Sequence, residues 1–342
     1  MRKRIRIMLL LCVSLLLTTA CSKESLRNCI VHEWPEKETS EIILNLKFDE
    51  DLPLYKEITV DTKAASTRAT TKVNSNLYDL RRIIKIYPKS EDGTISEQAD
   101  ATYIFYEDDI KELNGSYPVD LHGGDYHIVV WNDLVADGSG TDLYYKAGGF
   151  KNITIDPERY EGSTDARDAF RGYLDVHVEE DSFDSRTYTY DVPMQRPMAK
   201  FQFITTELNE FLEKYDTDID LSKFNIVFFY TSFLPSEYNI FTDKPVDAMT
   251  GMTFSAKLED LGNGEASLGF DYVFVNGSEA TVQVAMGFFD EDGNILSSVP
   301  TVNVPLKRSH LTVVKGRFLT SGTDSGVGID PNYDGDYNIE IR

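Results

Sequence analysis

The chain has 342 residues, 57 of them acidic and 34 basic, for a net charge of −23. No charge run after residue 6 is basic, which excludes nucleic acid as a partner, because a phosphate backbone is bound through clustered Lys and Arg. Three cysteines cannot build a disulfide framework or a Cys-rich metal site within one chain, so folding must rest on burial, for which 41% hydrophobic residues suffice.

Arg2, Lys3, Arg4 and Arg6 precede the apolar run Ile7 to Leu17 and the small residues Thr18, Thr19 and Ala20. This is the pattern of a secretory signal peptide over 1–20. The apolar run is too short for a bilayer, which takes about 20 residues. Cys21 follows the small residues in a pattern that resembles a bacterial lipobox, with Thr18 where Leu is common. Diacylglycerol on its thiol and an acyl chain on its freed amine, at about 0.8 kcal/mol per buried methylene, exceed what stable anchoring requires. Cys21 is therefore the expected lipidation site, and residues 21–40 the lipidated tether. Ser22, Lys23 and Glu24 are similar to the signal that carries Bacteroides-type lipoproteins to the outer face of the outer membrane; a solvated tether is needed in either case. Removing residues 1–20 takes away four positive charges and no negative one, so −23 becomes −27. Such acidity suits solubility and repulsion at a cell surface. Cys12 leaves with the leader, and only Cys29 could remain a free thiol.

From residue 41 the organising signal is alternation with period two. "EIILNLKF" from Glu41, "RRIIKIYP" from Arg81, "ATYIFY" from Ala101, "DYHIVVW" from Asp125, "KNITI" from Lys151, "GYLDVHV" from Gly172 and "RTYTYDV" from Arg186 predict short strands. Turn formers separate them, including "EDGT", "HGGD" and "ADGSG". Seven such strands predict an all-β sandwich over 41–195. Between the first two, "AASTRATTK" lacks periodicity and predicts a loop in which Arg68 is accessible to a trypsin-like protease. Cleavage there would release the segment from Glu41.

After Pro193 and Pro197 the pattern restarts with "AKFQFIT", "FNIVFFY", "MTFSA", "ASLGFDYVFV", "ATVQVAMGFF" and "LTVVKGRFL", predicting a second sandwich over 196–342. One helix interrupts it: Leu208, Phe211, Leu212 and Tyr215 fall at i, i+3, i+4 and i+7, with Thr206 the expected N-cap and Glu207 and Glu210 in the first turn. "DEDGN" at Asp290 predicts a hairpin turn. Trp131 and Phe201 read as core residues rather than ligand platforms.

Chemistry is sparse. No pair among the five histidines has the helical spacing of a zincin, and His122 and His127, flanking one turn without a nearby Cys, read as turn and surface residues. "DPNYDGDYNIEI" places Asp330, Asn332, Asp334, Asp336 and Asn338 in an EF-hand-like alternation. Glu340, however, falls at the eleventh position instead of the twelfth, and Pro331 and the lack of flanking helices favour an acidic turn. No metal, cofactor or catalytic site is expected. In the tail, Tyr337, Ile339 and Ile341 alternate with Asn338, Glu340 and Arg342, so an extended chain directs three apolar side chains to one face. That suits a donor strand or the last strand of the second sandwich.

The order of the lipobox, "YDLRRIIKIYP", "GDYHIVVWND", "DAFRG" (Asp168 to Gly172), "VPMQRPMAKFQF" and "RSHLTVVKGRFL" resembles the FimB-type fimbrial anchor family of Bacteroidia over nearly the whole mature chain. The resemblance implies two tandem transthyretin-like Greek-key β-sandwich domains at the base of a type V pilus, a lipoprotein tied to the outer membrane through Cys21. It implies assembly by strand donation, with a fimbrial stalk subunit as partner, and an anchor that keeps its first strand and so ends the polymer. An incomplete sandwich exposes unpaired backbone groups and an apolar cleft, which a donated strand satisfies. Two alternatives stay open: a stalk or tip subunit activated by cleavage after Arg68, and a surface glycan-binding lipoprotein that uses exposed aromatic platforms.

Overall fold

A computed structural model describes residues 39–60, 77–108, 110, 112–179, 187–214 and 220–320. The signal peptide, Cys21, Cys29, Arg68, the acidic turn from Asp330, and Tyr337, Ile339 and Ile341 lie outside these residues. In chain order the strands are β1 (Ser40–Phe48), β2 (Leu54–Val60), β3 (Tyr78–Pro88), β4 (Ala101–Glu107), β5 (Gly115–Leu121), β6 (Gly124–Ala136), β7 (Tyr145–Lys146), β8 (Asn152–Ile155), β9 (Phe170–Val178) and β10 (Thr187–Met194). They continue as β11 (Met198–Thr205), β12 (Asn225–Tyr230), β13 (Leu234–Asn239), β14 (Lys244–Met249), β15 (Thr253–Ala256), β16 (Glu259–Gly262), β17 (Glu265–Phe274), β18 (Glu279–Phe289), β19 (Ile295–Lys307) and β20 (Leu311–Gly316). The one α-helix described, α1 (Leu208–Leu212), lies between β11 and β12. The fold is all-β with a short helix in its second half, as the sequence pattern predicts.

The first sandwich faces the sheet β10-β1-β5 against the sheet β4-β3-β6-β9. Ile42, Leu44 and Leu46 of β1, Ile84 and Ile86 of β3, Ile128 and Val130 of β6, and Val192 and Met194 of β10 form its core. The second sandwich faces β16-β17-β11-β20-β2 against β15-β12-β18-β19, around Phe201, Phe203, Phe228, Val284, Phe288 and Val304. Between the two lies a third apolar layer. Alternate residues of β3 and β6, among them Ile83, Val129 and Trp131, meet Phe150, Ile153, Met198, Tyr238, Phe270 and Phe274 there. The sheet of β3 and β6 is thus covered on both faces, and for that reason "RRIIKIY" and "HIVVW" are nearly continuous in apolar character. Trp131 and Phe201 are both fully buried.

Strand pairing crosses residue 195 twice. A sheet of order β14-β13-β8-β7 joins Glu237 to Thr154 and Tyr238 to Ile153. Early in the chain, β2 leaves the first sandwich and pairs in parallel with β20 of the second.

Two expectations require correction. Glu207, not Thr206, occupies the N-cap position of α1, and its side chain makes no cap bond. The carboxylate instead accepts from the backbone N–H groups of Leu319 (2.6 Å) and Thr320 (2.9 Å), pinning the end of the described chain. His122 and His127 are buried rather than at the surface. A partner far along the chain decides the second case: His127 Nδ1 lies 2.7 Å from Asp175 of β9.

Two buried ion pairs join distant parts of the chain. Arg81 makes a two-pronged contact with the directly opposite Asp133, at 2.8 and 2.7 Å. Arg167 pairs with Asp271, which also accepts from the hydroxyls of Tyr160 (2.5 Å) and Tyr230 (2.6 Å). Burial first, and then the Asp271 carboxylate, push the Tyr230 hydroxyl well above its ordinary value, so it donates. Removing one partner of such a pair leaves an uncompensated buried charge, at a cost of about 3–5 kcal/mol. Arg167→Leu is expected to lower unfolding free energy by that amount in urea titrations. A loss below about 1 kcal/mol would mean that Asp271 is hydrated or repartnered.

Candidate functional site: the seat of the first strand

β1 is the central strand of its sheet, parallel to β10 over Glu41–Phe48 and antiparallel to β5 over Ser40–Leu46. Period-two alternation sends Ile42, Leu44 and Leu46 inward, where none has exposed surface. They fill a groove walled by Tyr117, Val119 and Leu121 of β5 and by Val192 and Met194 of β10, and floored by β3, β6 and β9. Burying three such side chains contributes about 5–9 kcal/mol, at about 1.5–3 kcal/mol each. On the outer face, Asn45 Nδ2 donates to Asp191 Oδ1 (3.1 Å), and Ser116 Oγ donates to Asn45 Oδ1 (2.6 Å).

The end of β1 is held by the Phe48 ring, its backbone and the carbonyls that follow it. The Phe48 ring stands edge-on to Phe170 at 4.9 Å, and its backbone N–H donates to Asn114 Oδ1 at 3.2 Å. Beyond it, Arg196 donates from Nη1 to the Asp49 carbonyl (2.8 Å) and from Nη2 to the Glu50 carbonyl (3.0 Å). Arg196 is itself fixed by Asp168, whose two oxygens each lie 2.9 Å from Nε, and by stacking on Phe170 at 4.5 Å. "DAFRG" and "QRPM" therefore meet in space to clamp the chain as it leaves β1. The chain then runs through Leu52, which packs against the middle layer, into β2.

Residues 40–60 consequently contribute a strand to each sandwich. Cleavage after Arg68 would place β2 as well as β1 on the released piece. Sequence reasoning missed β2, β5, Arg196 and Asp168. "LYKEITV" is an edge strand with little buried surface, and "GSYPVDL" carries Pro118, which an edge position tolerates. Arg196 and Asp168 gave no signal of their own, because their roles depend on carbonyls more than a hundred residues away. Among the described residues there is no His, Cys, Asp and Glu group able to hold a metal ion, and no helix long and apolar enough to cross a membrane.

A strand seated in this manner, with both backbone edges paired and its apolar face buried, is an element that a sandwich could hold or exchange. A family model described as "Family of unknown function (DUF6562)" matches residues 39–342, and the chain belongs to that family. No curated protein matches it. Among solved structures, the chain is similar to a Bacteroides ovatus protein described as a "putative adhesin", at 11% identity and a TM-score of 0.43, covering 86% of this chain and 93% of the other. It is similar to a fimbrial assembly protein from Parabacteroides distasonis at 13% identity and a TM-score of 0.37, covering 84% and 93%. It is also similar to the fimbrial anchor protein Mfa2 from Porphyromonas gingivalis, at 9% identity and a TM-score of 0.35, covering 76% and 82%. These are distant likenesses.

Leu44 tests the seat. Truncating a fully buried Leu costs about 2–5 kcal/mol, whereas losing the outer-face bonds of Asn45 costs about 1 kcal/mol or less. Leu44→Ala is expected to shift the chemical unfolding midpoint markedly and Asn45→Ala only slightly. Equal small shifts would show that β1 is not integral to the folded protein.

Proposed function

We propose that the protein is a surface lipoprotein of FimB type, which anchors and terminates a type V fimbria at the outer membrane. Its chain forms two transthyretin-like sandwich domains, 41–195 and 196–342, with β2 of the first stretch added to a sheet of the second. The observation that carries the reading is β1, seated with Ile42, Leu44 and Leu46 buried between β5 and β10. A subunit that retains this strand has its own groove filled and cannot accept another chain's strand there. Polymer growth ends at that subunit. Lipid on Cys21, some twenty residues before β1, ties it to the membrane.

The partner is a fimbrial stalk subunit, joined by strand donation. Tyr337, Ile339 and Ile341 are the proposed donor residues. Catalysis forms no part of this role.

The test is made in cells that assemble fimbriae. Deleting Asp336–Arg342 should leave a folded, membrane-bound protein, with fimbrial shafts released into the medium. Loss of the folded protein would assign these residues to the second sandwich and end the donor reading. Intact mass of the wild-type protein should show residues 41–48 attached to a lipidated Cys21. A mature N-terminus at Ala69 would make it a stalk or tip subunit activated at Arg68.

A further inference from the structure

The two sandwiches meet at an open cleft of about 810 Å³, within the range of about 300–1,000 Å³ usual for ligand sites. Its walls are the ends of β1, β10 and β19, the start of β14, and the turns at Thr242–Asp243, Gly277–Ser278 and Arg308–Ser309. In a chain of net charge −23, this cleft is lined by five cationic residues and two acidic ones. Two of the cations are already engaged, Arg196 with Asp168 and Arg308 with Asp243 at 2.7 Å. Three lysines remain. Lys47 reaches Asp191 only at 3.9 Å and is more than half exposed. Lys307 contacts the Tyr55 ring at 5.6 Å, and among the described residues neither it nor Lys244 has an ion-pair partner. Asp243 is occupied by Arg308 and Arg171, leaving Asp49 as the one unpaired carboxylate on the wall.

We infer that this cleft binds an acidic saccharide, one whose uronate carboxylates sit among Lys47, Lys244 and Lys307. Three observations select that chemistry. The lysines, which come from separate elements, are interleaved with the side chains of Thr242 and Ser278, which can meet sugar hydroxyls. The walls are turns and strand ends, and β10 presents Pro193, which has no N–H, so an extended peptide finds only short, interrupted strand edge to pair with inside the cleft. Phe48 is the single aromatic residue in the lining, so recognition runs through charge rather than ring stacking. Screening favours the site over the acidic remainder of the molecule. At physiological salt the Debye length is about 8 Å, so distant carboxylates are muted while ammonium groups in contact with the ligand are not.

This inference does not depend on strand donation or on the lipid anchor, and its test can fail while that reading stands. The full-length protein is titrated calorimetrically with a short oligogalacturonate, a neutral maltooligosaccharide of equal length, an oligoglutamate and inorganic phosphate. Saturable binding of the oligogalacturonate alone is expected, weakening as salt rises and reduced at least about tenfold in the Lys244→Glu/Lys307→Glu variant. Unchanged thermal melting and circular dichroism of that variant would locate the loss in the cleft; a melted variant is replaced by Lys244→Gln/Lys307→Gln, for which the same loss is required. Equal binding of oligoglutamate or phosphate overturns the saccharide assignment. Binding of the neutral sugar, no binding at all, or full binding by the folded variants overturns the site.

Discussion

The structure depends on one continuous stretch of chain, residues 40–60, which lies in both sandwiches. β1 fills the centre of the first sandwich's three-stranded sheet, and β2 closes an edge of the second sandwich's five-stranded sheet. Between them Arg196 grips the carbonyls of Asp49 and Glu50. Its own fixation by Asp168 and Phe170 gives the grip a rigid base, since a guanidinium held by a carboxylate and a ring has little rotamer freedom left to lose. The contributions are unequal. Three fully buried aliphatic side chains outweigh the clamp's few hydrogen bonds, each worth about 1 kcal/mol net, so burial holds the strand and the clamp sets where it ends.

The second organising feature is the layer between the sandwiches. Because β3 and β6 are covered on both faces, the apolar surface of the first sandwich continues into the second half through Trp131, Tyr145 and Phe274. Buried polar groups in and beside this layer are tolerated where they are matched, as Arg81 is by Asp133 and Arg167 by Asp271 with two tyrosines. Such matched pairs add little net stability but make misplacement costly, since any shift strands a buried charge. The arrangement joins the halves in one orientation and forms the basic cleft at their margin.

Strands with a clean alternation or a long apolar run were legible in the sequence, β1, β3, β6, β11, β12 and β17 among them. So were Trp131 and Phe201 as core residues and the turn at Asp290, where Asn294 closes the hairpin. What escaped had either a weak local pattern or a partner far along the chain. β2, β14 and β16 carry little buried surface, and β19 is broken by Pro300 and Pro305 at a sheet edge, so none has a strong local pattern. Arg196, Asp168 and the three cleft lysines are ordinary surface residues in one dimension and neighbours only after folding. His127 shows the same limit: its carboxylate lies on β9, forty-eight residues on.

The most direct measurement on the stretch 40–60 is made on nicked protein. A site-specific protease sequence placed within 61–76 allows the purified chain to be cut without touching either strand. If β1 and β2 are held as described, the N-terminal piece stays associated through gel filtration at physiological salt, and leaves only under denaturant, with the melting temperature lowered. Release of the piece on cutting, with the remainder still folded and its melting unchanged, would contradict the central role given to this stretch.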